Sequence, residues 1–112
     1  MASLEGKVAI VTGAGRLRGI GRATALALAE LGADIVVTGT GRNRANYPED
    51  EKAIGWRDID STAEQVRKAG ASCLPIVADV TNLVSVRKTV GEVLKEFGRI
   101  DILINNSAFA RG

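Results

Sequence analysis

Short β-branched runs alternate with longer stretches whose apolar residues recur at helical spacing, and glycines mark the boundaries. Lys7–Thr12 (KVAIVT) reads as a buried strand ending on Thr-Gly. Ile20, Ala23, Thr24, Ala27, Leu28 and Leu31 then follow a helical period in an Ala/Leu-rich segment, and Gly32 stops it. Asp34–Thr38 (DIVVT) predicts a second strand. From Gly39 to about Arg57 no period is sustained. Gly39, Gly41, Asn43, Asn46 and Pro48 mark a long loop there. Ser61-Thr-Ala-Glu64 has capping-box spacing and predicts the start of a second helix that ends at Gly70. Ser72–Ala78 predicts a third strand, in which Pro75 requires an edge position or a bulge. Thr81 or Asn82 caps a third helix carrying Val86, Val90, Val93, Leu94 and Phe97, with Gly98 as its stop. Ile100–Asn105 (IDILIN) is the fourth strand.

The resulting order is β-α-β-α-β-α-β. Such alternation calls for parallel strands joined by right-handed crossovers, an α/β architecture. Residues 1–112 read as one domain or part of a larger one, with 39–57 inserted into it.

Composition narrows the function. Of 112 residues, 46% are hydrophobic and 25% charged, as in ordinary soluble domains. Fifteen Lys and Arg against 13 Asp and Glu give a net charge of only +2. The arginines gather as Arg16/Arg18/Arg22 and Arg42/Arg44, without interleaved aromatics. That suits a small anionic ligand better than a nucleic acid. The chain contains no histidine, which removes a Ser-His-Asp triad and most zinc sites. A single cysteine, Cys73, fits a reducing compartment, and no apolar run is long enough for a membrane span. With no leader pattern in MASLEGK, the expected location is the cytoplasm.

The stretch TGAGRLRGIG (Thr12–Gly21) lies between the first strand and the first helix. A helix N-terminus there offers free amides and the positive end of a dipole to a phosphate. Glycine lets the backbone approach closely. No Gly-Lys-Ser/Thr tripeptide exists, so this is not a P-loop, and the spacing also departs from G-x-G-x-x-G. A tight turn without a ligand is the alternative at this level.

Four motifs together change the picture: Thr12-Gly13, Gly19-Ile20-Gly21, Asp79-Val80 and Asn105-Asn106-Ser107-Ala108. In order and placement they resemble the short-chain dehydrogenase/reductase family, and the resemblance extends over essentially the whole chain from LEGKVAIVTG. It implies the N-terminal half of a doubly wound Rossmann fold, with a parallel sheet of order 3-2-1-4 and three helices. It also implies an oxidoreductase that interconverts a carbonyl and an alcohol by hydride transfer with a nicotinamide dinucleotide. A 3-oxoacyl-carrier-protein-reductase-like enzyme is the commonest kind. By the same resemblance Gly13, Arg18, Gly19, Ile20 and Gly21 would surround the cofactor phosphates. Asp79 would accept from the adenine amino group, Val80 would pack on the ring and Asn106 would line the ribose side. The complete protein is expected to form a homo-oligomer. Two departures stand out: the turn is two residues longer than the family pattern, and Ser107-Ala108 replaces Ala-Gly.

An NAD site places an acid at the end of the second strand to hold the ribose 2′-OH. Here Gly39-Thr40 stand at that place, without an acid. Thr40, Arg18 and Arg42 could instead bind a 2′-phosphate, so NADP(H) is the expected cofactor and NAD(H) the alternative. Arg42 and Arg44 otherwise read as a solvated loop face, and Arg16 and Arg22 as surface charges. The family's catalytic Ser and Tyr-x-x-x-Lys are not found: Glu51 stands four residues after the only tyrosine, Tyr47. Trp56 reads as an anchor for the inserted loop and Cys73 as core. The chain is thus expected to be a partial domain whose fourth strand is bare on one edge, marginal or self-associating alone. A non-catalytic nucleotide-binding module and a partner-dependent fragment are the competing readings.

Overall fold

In a computed structural model that describes residues 3–107, four strands and four α-helices alternate. The strands are β1 (Val8–Val11), β2 (Asp34–Gly39), β3 (Cys73–Val77) and β4 (Ile102–Ile104). The helices are α1 (Ile20–Glu30), α2 (Glu49–Ala53), α3 (Ile59–Lys68) and α4 (Leu83–Phe97). The sheet is parallel with order β3-β2-β1-β4, as the family resemblance implied. Pro75 lies on the edge strand β3, opposite Val37, where its missing N–H costs no ladder bond.

Alternate residues of the central strands feed two cores. Ala9, Val11, Ile35 and Val37 face α1 and α3, packing with Ala25, Ala29, Ala63 and Val66. Val8, Ile10 and Val36 face the other way, toward Ile76 and Val93 of α4. Helices on both faces fit strands that read as continuous apolar runs. The second face is thinly covered: Val84, Leu94 and Leu103 are exposed, the last by 63%.

Gly32, Gly70 and Gly98 follow helix ends with φ of 100°, 100° and 77°, the left-handed conformation expected of such stops. Asn82 caps α4 by accepting from the Ser85 amide. Two sequence expectations need correction. First, α3 does not open at Ser61. Asp58 is its N-cap residue, and Ser61 Oγ, already inside the first turn, accepts from the Arg57 amide. Second, 39–57 is not all loop. It contains a 3-10 turn at Arg44–Asn46 and the five-residue helix α2, which among the described residues joins the three longer helices that were expected. Glu49, Asp50 and Glu51 crowd the first turn of α2, where acids suit the helix dipole. Five residues are too few to show a period.

Candidate functional site

The C-terminal ends of β1, β2 and β4 meet the N-terminus of α1 around a cavity of about 510 Å³. This is the crevice where parallel α/β sheets take ligands. Gly19 is the N-cap residue of α1 in extended conformation, no acidic side chain occupies the first turn, and no side chain caps it. Its first amides therefore lack intrahelical acceptors and face the cavity end. Gly13 adopts φ 62° and approaches β4 so closely that a Cβ would sit 3.2 Å from Ser107 Cα. A Cβ on Gly21 would fall 2.6 Å from the Gly13 carbonyl oxygen. These glycines allow the strand end, the helix start and β4 to converge.

Thr12 joins the first and last motifs. Its hydroxyl oxygen accepts from the amides of Asn106 (3.0 Å) and Ser107 (3.2 Å), and Asn106 Nδ2 donates to the Gly13 carbonyl at 3.1 Å. Asn105 Oδ1 accepts from Thr12 Oγ1 at 3.3 Å, which ties the end of β4 to the end of β1. Ala108 of that motif lies outside the described residues.

The lengthened turn and the 39–57 segment meet in space. The lengthened turn Ala14–Arg18 is gripped by the inserted segment. Glu51 Oε2 accepts from the Leu17 amide at 2.8 Å. Trp56 Nε1 donates to the Gly15 carbonyl at 2.6 Å, so Trp56 does anchor the insertion against the body. Thr62 Oγ1 of α3 donates to the Ala14 carbonyl at 2.7 Å. Arg22, expected as a surface charge, is half-buried and donates to the Leu17 carbonyl and to Gln65.

Arg42 lies at the centre of this junction and is not a solvated loop residue. Its Nε and Nη2 donate to Asp58 Oδ1 at 3.0 and 2.8 Å. Its Nη2 is also 3.0 Å from Glu51 Oε1, and its guanidinium stacks over the Tyr47 ring at 4.5 Å. Burial lowers the Arg42 pKa, but the hydrogen bond and charge of Asp58, with the charge of Glu51, outweigh it and raise the pKa overall. Burial raises the Tyr47 pKa. Glu51 Oε1 is buried, and the Arg42 guanidinium meets it as an ion pair.

Seven of the ten sequence-predicted site residues line the cavity: Gly13, Arg18, Gly19, Ile20, Thr40, Arg42 and Asn106. Gly21 is buried at the start of α1 just behind it. Asp79 and Val80 do not line it. The Asp79 carboxylate accepts from the Thr81 hydroxyl and amide, which lowers its pKa, and so holds the turn into α4. Val80 lines a second, largely apolar cavity of about 260 Å³ between β1, β4 and α4. Arg18 is 83% exposed and pairs with Asp50 at the rim. Gly15, Gly39 and Asp58 line the main cavity without having been selected from the sequence. An acid is absent from the end of β2, yet the Asp58 carboxylate stands beside it in space.

The cavity fits a dinucleotide. Glycines line its floor, unpaired helix amides lie at one end, and carboxylate, hydroxyl and guanidinium groups lie along β2. No helix among the described residues is long and apolar enough to cross a membrane.

Comparison with known proteins agrees with this geometry. An uncharacterized oxidoreductase of Methylorubrum extorquens is 41% identical over 107 residues, covering 96% of this chain and 37% of its own length. A short chain dehydrogenase from Mycobacterium thermoresistibile superposes with a TM-score of 0.81 at 30% identity, over 97% of this chain and 36% of its own. An NAD+-bound xylitol dehydrogenase superposes with a TM-score of 0.75 at 37% identity, over 95% of this chain and 35% of its own. The chain thus spans little more than a third of the length of each. Residues 7–112 match the short chain dehydrogenase family, and the chain belongs to it.

Proposed function

We propose that residues 1–112 form a single, partial dinucleotide-binding domain, interrupted by the 39–57 insertion. On this reading it is the cofactor-binding part of an oxidoreductase that interconverts a carbonyl and an alcohol. When bound, the nicotinamide ring donates or accepts the hydride. The residues of this chain bind and orient. The first-turn amides of α1 and the helix dipole receive the pyrophosphate, and Gly13 and Gly19 let it approach. Asn106, fixed on the Gly13 carbonyl, shapes the ribose side of the cavity. Proton transfer to the substrate is assigned to residues outside this chain. The whole protein is proposed to be cytoplasmic and homo-oligomeric.

The observation that carries this reading is the bare N-terminus of α1 opening on a glycine-lined cavity at the strand ends. Its test is Gly19→Asp. Gly19 has φ −89° and ψ 150°, a conformation any residue adopts and the one an N-cap prefers. An aspartate there should hold or raise the melting temperature while placing a carboxylate against the cofactor phosphates. Titration of the wild-type chain with NADH or NADPH should saturate, and the variant should bind at least about tenfold more weakly, as expected for a lost charge-assisted contact. Equal binding by both would overturn the reading.

Arg18 and Thr40, open beside the cavity, support NADP(H) as the sequence suggested. Arg42 supports it less, because Asp58 and Glu51 already compensate its charge. With two carboxylates against that arginine, we put NAD(H) first and keep NADP(H) as the reading that Arg18 favours.

A further inference from the structure

We infer that Asp58, delivered by the N-terminus of α3 rather than by β2, is the residue that selects the cofactor's adenosine ribose, accepting a hydrogen bond from its 2′-hydroxyl. The inference rests on the dinucleotide reading above and deepens it.

Three observations converge on Asp58. It is the only described non-glycine residue with positive φ, at φ 57° and ψ −133°. That conformation is strained and persists only where surrounding contacts enforce it. Asp58 also occupies the N-cap position of α3, where aspartate normally accepts a first-turn amide. Its side chain makes no such bond. Instead the carboxylate is turned back to the end of β2 and held by Arg42.

The place it occupies is left open by Gly15 and adjoins Gly39. A Cβ on Gly15 would come within 2.7 Å of Asp58 Cγ, and a Cβ on Gly39 would lie 3.6 Å from Asp58 Oδ2. The carboxylate therefore fills the volume that a side chain of residue 15 would enter and stands in contact distance of residue 39, whose own side-chain space is taken by Ile59 Cγ2. An acid at this strand end is the group that meets a ribose 2′-hydroxyl in dinucleotide sites. Among the described residues both donors to Asp58, Nε and Nη2 of Arg42, reach Oδ1. Oδ2 is left as an acceptor on a residue that lines the cavity. Arg42, gripped in turn by Glu51 and stacked on Tyr47, fixes the carboxylate's position. A hydroxyl satisfies Oδ2, whereas a 2′-phosphate meets like charge. Arg42 and Glu51 act through Asp58 and are positioning residues.

The test is equilibrium titration of the full 112-residue chain with NADH and with NADPH, for wild type and Asp58→Asn. Asparagine keeps the shape, tolerates positive φ and still offers Arg42 an acceptor. The inference expects wild type to bind NADH more tightly than NADPH. It expects the variant to lose about tenfold in NADH affinity, the scale of one hydrogen bond to a charged group, and to gain in NADPH affinity. Adenosine 5′-monophosphate and adenosine 2′,5′-bisphosphate should show the same reversal as competitors. Wild type preferring NADPH would overturn the inference without any variant, as would equal shifts for both cofactors in Asp58→Asn, and in either case the dinucleotide reading survives. Binding of neither cofactor by folded wild type would overturn both.

Discussion

The Glu51 carboxylate accepts the Leu17 amide hydrogen at 2.8 Å, joining the middle of the lengthened glycine turn to a five-residue helix of the inserted segment. Turn and insertion are one structural unit. The turn's extra residues carry backbone groups that need partners, and the insertion supplies them through Glu51, Trp56 and Arg42. Glu51→Ala should leave the Leu17 amide without its acceptor and destabilise the chain by about 1–3 kcal/mol. Glu51→Gln, which keeps an acceptor, should cost less. Urea denaturation midpoints of the two variants measure the difference, and equal losses would contradict the role given to the Leu17 bond.

Gly15 tests the other side of the same junction. Its backbone has no positive φ, so alanine is disfavoured only by the Asp58 carboxylate that would share its space. Gly15→Ala should cost roughly 1–3 kcal/mol through overpacking and should displace Asp58 from Arg42. Chemical denaturation gives the first quantity. If the variant matches wild type in stability, Asp58 does not occupy the position described.

Acid sensitivity should centre partly on the start of β4. The Asp101 carboxyl is held at a pKa of about 2, by the Arg99 guanidinium first and by the Val8 amide next. An unperturbed aspartate titrates near 3.9. A depressed folded-state pKa means that the stabilisation is complete above the unfolded value and fades as the pH falls from about 4 toward 2. Asp50, Glu64 and Asp79 are shifted the same way. The wild-type chain minus Asp101→Asn therefore isolates the Asp101 share. Denaturation midpoints from pH 5 to pH 2 should converge for the two proteins at the acid end; a constant gap would contradict the linkage.

Cys73 should be inert while the chain is folded. Burial pushes its thiol up to about 12 and keeps it protonated at neutral pH, and the thiolate is the reactive form. Iodoacetamide labelling followed by mass should proceed slowly in buffer and rapidly in denaturant. Fast labelling under native conditions would show that the edge strand β3 opens.

The strands were legible because parallel strands buried on both faces read as apolar runs, and alternation with helices fixes the hand of the crossovers; their order came from the family resemblance. Pro75 limited its strand to an edge position or a bulge from the chemistry of one missing donor, and the sheet order places it at the edge. The start of α3 was misplaced because Ser61 and Glu64 mimic a cap, whereas the true N-cap residue, Asp58, directs its side chain elsewhere. The helix α2 was hidden by its length. Arg42 shows the main limit. Sequence gives its charge but not its partners, and those partners, Asp58 and Glu51, make it part of the wall rather than a free phosphate ligand. Nothing near Asp58 in the chain signals that it fills space left by Gly15 beside the end of β2, since that juxtaposition exists only after the sheet has formed.

The most direct test of the account is a backbone amide NMR titration of the chain with NADH. The account predicts a dispersed spectrum and saturable shifts concentrated at Gly13–Gly21, Asp58 and Asn106–Ser107, with the distant α3–β3 turn unchanged. A dispersed spectrum that does not respond to NADH or NADPH, or that responds only away from these residues, would contradict it.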